Sequence, residues 1–250
     1  MKEKKFIIFD IESEYGHYRK INTTSSPLTY NIPPRTALIG MLGAILGLDR
    51  FSYHEKFKRD LLDISLQVLN PIKKQLVGFN LPLLKDMKEI LKGIKRRTQV
   101  GFELLKYPKY RIYCSFNEEK VFDEFYNKII NNHTHFTPYL GLSQFTAKIN
   151  FIDVKTAKVL ETSNNSNNEV DIISVINFTR YKNQIDLLFN YKHMYSSMVM
   201  PTIMKVENKE RITKEFCEFI VELNGKPIRI KNKSCNEIYS VENVGNILIM

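Results

Sequence analysis

The chain is poor in cysteine and in the usual signatures of catalysis. Cys114, Cys217 and Cys235 are the only three among 250 residues. They are odd in number, widely spaced and form no Cys-x-x-Cys pair, so a disulfide framework is excluded and a reducing cytoplasm is the expected compartment. The apolar run from Thr36 to Leu48 falls well short of the roughly 20 residues that a membrane span requires. Met1-Lys2-Glu3-Lys4-Lys5 leads directly into a strand pattern rather than an apolar segment, which argues against a secretory signal. No Walker loop, nucleotide-binding glycine fingerprint or Ser-His-Asp motif is readable, and there is no internal repeat strong enough to argue from. His133-Thr134-His135 is the only metal-like pair, and two histidines without further ligands read as a polar turn before Pro138. The expectation is a chain without cofactor or metal, and not an enzyme.

What the chain does have is positive charge. Lys and Arg number 37 against 27 Asp and Glu, a net charge of +10 and a pI near 9.3. Such an excess points to a polyanion partner, and no long basic amphipathic helix favours a membrane surface over nucleic acid. The charge is concentrated. From Lys73 to Arg111 eleven basic residues stand against three acidic ones, a local +8. Tyr107 and Tyr110 alternate there with Lys109 and Arg111, offering rings for unpaired bases beside cations for phosphates, while Gly93 and Gly101 supply hinge points.

Pro33-Pro34 followed by an apolar stretch with Gly40, Gly43 and Gly47 predicts a helix with Thr36 as N-cap, running to about Leu46 and ended by Gly47. The three glycines fall roughly on one face, where another element can approach the backbone closely or a phosphate can meet the helix start. Strands are expected at Lys5–Ile11, near Asp63–Asn70, and at Tyr110–Phe116, with a second helix from Val121 to Ile130. Alternation from Phe145 to Phe151 adds a further half-buried strand. This order fits an α+β, ferredoxin-like (RRM-like) domain at residues 1–160, with the basic segment at about 73–111 inserted in it. No aromatic RNP signature is present, so stacking on an open sheet face is not expected. Residues 162–168 contain no apolar side chain and read as linker, giving a boundary at 161–169 before a smaller β-rich region at 170–250. In that region Asn224-Gly225 predicts a hairpin turn between Phe216–Leu223 and Pro227–Ile230.

Three blocks carry a family resemblance. Phe9-Asp10-Ile11, Tyr18-Arg19-Lys20, Tyr30 and Pro33-Pro34-Arg35-Thr36-Ala37-Leu38 with Gly40 form the first. The second runs from Thr98-Gln99 to Tyr107-Pro108-Lys109-Tyr110-Arg111-Ile112, and the third is Pro138-Tyr139-Leu140-Gly141-Leu142-Ser143-Gln144-Phe145. In this order and spacing they resemble the fifth CRISPR-associated protein family; beyond Asn150 the resemblance thins to Met200-Pro201 and the final strand. The resemblance implies a non-catalytic subunit of a type I surveillance (Cascade) complex, of the I-B branch, that grips the 5′ handle of the guide RNA (crRNA). It implies backbone and large subunits as partners and target DNA as an indirect one, and it makes the basic segment a projecting thumb. The candidate RNA contacts are Arg19, Lys20 and Arg35 near the glycine helix, and Lys95, Arg96, Arg97, Tyr107, Lys109 and Arg111 on the arm. One branch of that family cuts precursor RNA with a Lys-His pair after the arm; here the comparable strand reads Tyr113-Cys114-Ser115-Phe116. Lys192-His193 supplies the dipeptide only past the linker, so a metal-independent endoribonuclease is the alternative function.

Overall fold

Ten consecutive residues from Glu3 to Glu12, six of them buried in an unbroken run, make a central strand that can only be satisfied by elements on both faces. A computed structural model describes residues 3–82, 97–160, 168–208 and 210–250. In it β1 (Glu3–Glu12) is the hub of a curled, strand-dominated mixed α/β fold. Antiparallel to β1 on one side lies β6 (Lys109–Phe116), itself paired with β3 (Leu62–Val68); on the other side lies β7 (Lys148–Val159). The four strands stand in the order β7-β1-β6-β3. A helix follows β1, α1 (Arg35–Leu46), and another follows β6, α3 (Glu119–Ile130); a one-turn helix α2 (Tyr53–Lys56) lies between α1 and β3.

The two faces of β1 separate cleanly by pleat. Ile7, Phe9 and Ile11 join the side chains of α1 and α3 in the larger core, with Phe9 meeting Phe125. Phe6 and Ile8 point the other way and pack with Tyr113, Ala157, Tyr239, Val241 and Ile247. The second face is therefore covered by β14 (Ile238–Val241) and β15 (Gly245–Leu248), and its aromatics are buried. Beyond β7 the sheet continues through β14 and β15 to β8 (Glu169–Ile172), β13 (Ile228–Asn232) and β10 (Ile185–Leu187), so strands from either side of residues 161–167 share one sheet. Residues 161–167 of the expected 161–169 linker lie outside the described ones, while Glu169 already belongs to β8.

α1 is apolar on nearly every side because it is covered on nearly every side. Its second neighbour is a long ribbon of β11 (Tyr195–Glu207) and β12 (Glu210–Glu222), which contributes Met198, Met200, Cys217 and Phe219 to the same core. The helix ends at Gly47 as expected: its φ of 77° is left-handed, and the Leu48 N–H bonds to the Gly43 carbonyl at 2.8 Å. Its start differs. Pro34 is the N-cap, accepting from the Ala37 and Leu38 N–H groups, and Thr36 sits inside the first turn without a capping role.

The Asn224-Gly225 hairpin is corrected. The turn forms, but β12 pairs with β11 and the two-residue β9 (Ile176–Asn177), whereas β13 pairs with β8 and β10. The buried Glu222 carboxylate takes the N–H groups of Asn224 and Lys226, both at 2.8 Å, and so turns the chain out of β12 instead of back along it.

Candidate nucleic-acid interface

Between the neighbouring strands β3 and β6 the chain leaves the sheet and returns as a two-stranded ribbon, β4 (Lys73–Pro82) and β5 (Arg97–Lys106), paired over ten positions. At about 3.3 Å per residue this reaches some 30 Å from the domain. Residues 83–96, which include Gly93 and the candidate contacts Lys95 and Arg96, lie outside the described residues. Arg97 is exposed at the start of β5, opposite Pro82, and Gly101 is held in the ladder opposite Gly78.

An isolated two-stranded ribbon is marginal in water, and here its base is braced by the segment after β1. Tyr15–Gly16, the short strand β2, pairs with Lys106 and Leu105. Glu103 is the junction. It accepts from the Thr29 N–H at 3.0 Å and from Lys74 Nζ at 2.9 Å, while Lys74 also donates to the Thr29 carbonyl. Burial works to raise the Glu103 carboxyl, but these partners hold it below the usual carboxylate value. On the same brace the His17 ring nitrogen Nδ1 lies 2.8 Å from the Glu103 carbonyl and its ring packs on Phe102. Burial lowers the His17 pKa, so the neutral imidazole is favoured.

Beside this base runs a groove of about 1060 Å³, floored by Gly40, Gly43 and Gly47 of α1 and walled by Tyr53, Phe136 and Tyr139. Arg50 and Arg211 stand at its edge, and Arg211 Nη1 donates to the Tyr53 hydroxyl at 3.3 Å. The glycines have a packing reason. A Cβ on Gly43 would lie 3.1 Å from Cβ of Tyr53, and one on Gly47 would run into the His135 ring at 2.6 Å. Close approach is thus made by two rings rather than by the sheet. Gly141, with φ of 89°, abuts the His17 carbonyl where any side chain would collide, and it ties the 138–145 segment to the brace. The first and third blocks of the resemblance meet at this groove. Sequence reasoning missed Tyr53 and Arg211, which sit in no block.

The candidate contacts are dispersed by the structure. Arg19 is exposed and folds its guanidinium back onto the Thr23 carbonyl at 2.9 Å; Lys20 is half-buried on the same loop. Tyr107 is 54% exposed at the turn between β5 and β6, with φ of 50° and Lys106 Nζ 5.6 Å from its ring centre. Three basic side chains are turned to structural use. Lys109 meets Glu12 at 2.8 Å and Arg111 meets Asp10 at 2.7 Å, both across the β6–β1 ladder. Arg35 is only 2% exposed, its Nη2 donating to the carbonyls of Phe57 and Leu62, and burial together with the nearby Arg59 lowers its pKa to about 10. Pro33, Pro34 and Thr36 are buried with it, and the first turn of α1 reaches the groove only through Thr36 and Ala37, beside the glycine face. Tyr110 likewise points inward, its hydroxyl donating to the Asn31 carbonyl at 2.8 Å. The His133–His135 segment packs along the end of α1, with the His135 N–H on the Ile45 carbonyl. Among the described residues no three His, Cys, Asp or Glu side chains converge on a metal position, and no helix is long and apolar enough to cross a membrane.

The chain is similar in fold to a chain of a CRISPR RNA-guided surveillance complex, with a TM-score of 0.52 and 13% identity over 90% of this chain and 91% of that one. It is likewise similar to a CRISPR protein from Archaeoglobus fulgidus, with a TM-score of 0.52 and 15% identity over 98% of each chain. At these identities the likeness is one of fold, and that fold is found among CRISPR-associated proteins. No protein-family model and no curated protein matches the chain.

Proposed function

We propose that this chain is a non-catalytic, RNA-binding subunit of a type I CRISPR surveillance complex that holds the 5′ handle of the guide RNA and caps the backbone filament beside the large subunit. The observation that carries the proposal is the basic ribbon inserted between adjacent strands of the central sheet, with its base against an aromatic and glycine-lined groove. A ribbon of this reach tracks a phosphate backbone, and the groove offers rings and close backbone to unpaired bases. The strand order β7-β1-β6-β3 with two helices supports a ferredoxin-like core. Coverage of its second face agrees with binding through the ribbon rather than on the sheet. In this reading residues 1–160 supply the ribbon and most of the groove, and residues 170–250 extend and cover the sheet and add Arg211 to the groove. The complex would work in the cytoplasm, with target DNA as an indirect partner, and the I-B branch follows from the resemblance alone.

The test is reconstitution with guide RNA and partner subunits. A guide with its native 5′ handle should be retained and one with a scrambled handle lost, and labelled precursor RNA should stay intact with and without magnesium. Site-specific products that vanish in His193→Ala would establish the endoribonuclease instead.

A further inference from the structure

The loop at residues 188–195 presents Phe189, Tyr191 and Met194 to solvent, Tyr191 at 91% exposure, on a rigid mount. The Asn190 N–H bonds to the Tyr195 hydroxyl, the Asn190 side chain takes the Lys192 N–H at 2.9 Å, and the Asn190 carbonyl takes the His193 N–H at 3.0 Å. His193 Nδ1 is spent on the Tyr195 hydroxyl, and Phe189 packs edge-on against the Tyr195 ring. The Met194 N–H ends on Glu222, the same buried carboxylate that holds the 224–226 turn. A floppy loop would let its aromatics fold back onto the surface, whereas this one is fixed with Tyr191 facing out. Lys192 Nζ lies 5.6 Å from the Tyr191 ring centre, and Lys226 is exposed on the adjoining turn. The loop also joins the arm. Leu223 donates its N–H to the Met194 carbonyl at 2.7 Å and accepts from the Ile72 N–H at 2.8 Å, one residue before β4 begins.

We propose that Tyr191 is a stacking platform for one unpaired base of single-stranded RNA leaving the base of the arm, with Lys192 meeting the adjoining phosphate. A ring presented rigidly beside cations suits a nucleobase and its phosphate, and the hydrogen-bond bridge through Leu223 places it on the same path as the ribbon. The inference rests on the RNA-binding reading above.

The chain contains no tryptophan, so Tyr191→Trp introduces a single indole whose emission reports the site alone. Short unstructured single-stranded RNA should quench that emission saturably, and the same sequence paired into a duplex should not. Tyr191→Ala should weaken binding about fivefold or more and Tyr191→Phe should restore it, since the ring rather than the hydroxyl stacks. Melting should be unchanged in each. Lys192→Ala should lower the log-log salt slope by about 0.7, whereas Tyr191→Ala should leave it alone. Undiminished binding by Tyr191→Ala, in a protein whose binding is lost on reversing Arg97 and its neighbours, overturns the platform and leaves the RNA reading intact. No RNA binding by the parent chain overturns both. Quenching by partner subunits or single-stranded DNA but not by RNA makes the loop a different surface and also overturns the proposal.

Discussion

Arg111 and Asp10 face each other across the two central strands in a two-point ion pair, Nε to Oδ1 at 2.7 Å and Nη2 to Oδ2 at 3.1 Å. Asp10 is only 5% exposed, so its charge depends on this partner. Arg111→Ala should cost roughly 3 kcal/mol, the lower end of the range for breaking one side of a buried pair, since Arg111 is partly exposed. Denaturant melts measure the loss. RNA affinity per folded molecule should be unaltered, because this guanidinium is engaged within the sheet.

Gly40 and Gly43 separate a tolerated glycine from a required one on the same helix face. A Cβ on Gly40 meets only the tip of the Tyr53 ring at 3.4 Å, whereas Gly43 faces the Tyr53 Cβ at 3.1 Å. Gly40→Ala should therefore stabilise by up to about 1 kcal/mol through helix propensity. Gly43→Leu should destabilise by about 1 to 3 kcal/mol through overpacking. Equal and favourable shifts in thermal melts of both variants would refute the close seat of Tyr53.

Local signals carried much of this fold, and long-range pairing decided the rest. Pro33-Pro34 and Gly47 bracket α1 because their backbone limits act within a few residues, and the apolar run of β1 shows burial on both faces without a partner being known. The family resemblance makes the basic segment from Lys73 to Arg111 an arm, and β4 and β5 form a ribbon there. Its composition does not say which cations face outward. Lys109 and Arg111 lie opposite Glu12 and Asp10 through a register with β1 about a hundred residues earlier in the chain, which no window of sequence contains. Arg35 carried a readable warning, a lone charge between two prolines and an apolar helix, where burial is the rule for its neighbours. The turn at Asn224-Gly225 was legible as a turn, but which strands pair was settled by Glu222 and by competition from β11 and β8.

Acid should loosen the base of the arm. The Glu103 carboxyl is held below its ordinary value of 4.5, so its contribution is complete above that pH and is lost as pH falls through the lower folded value. Melting temperature measured from neutral pH downward should drop more steeply in the parent chain than in Glu103→Gln. At neutral pH that variant should be less stable by roughly 1 to 2 kcal/mol, having lost the Lys74 pair and weakened the bond from the Thr29 N–H. Parallel pH profiles would show that Glu103 does not brace the ribbon through its charge.

The salt dependence of RNA binding separates Arg97 and its sequence neighbours from the cations tied into the sheet. If about six phosphates are neutralised, the log-log slope for a single strand should be near minus four. Joint reversal of Lys95, Arg96 and Arg97 to Glu should weaken binding and flatten that slope. For Arg97, exposed at the end of the described ribbon, little change in melting is expected. Lys109→Glu should do the reverse, because it sets a second carboxylate against Glu12 in the β6–β1 ladder: melting falls and the slope per folded molecule holds. A slope near zero in the parent chain would remove electrostatics from the arm altogether, since a ribbon gripping phosphates must release counterions.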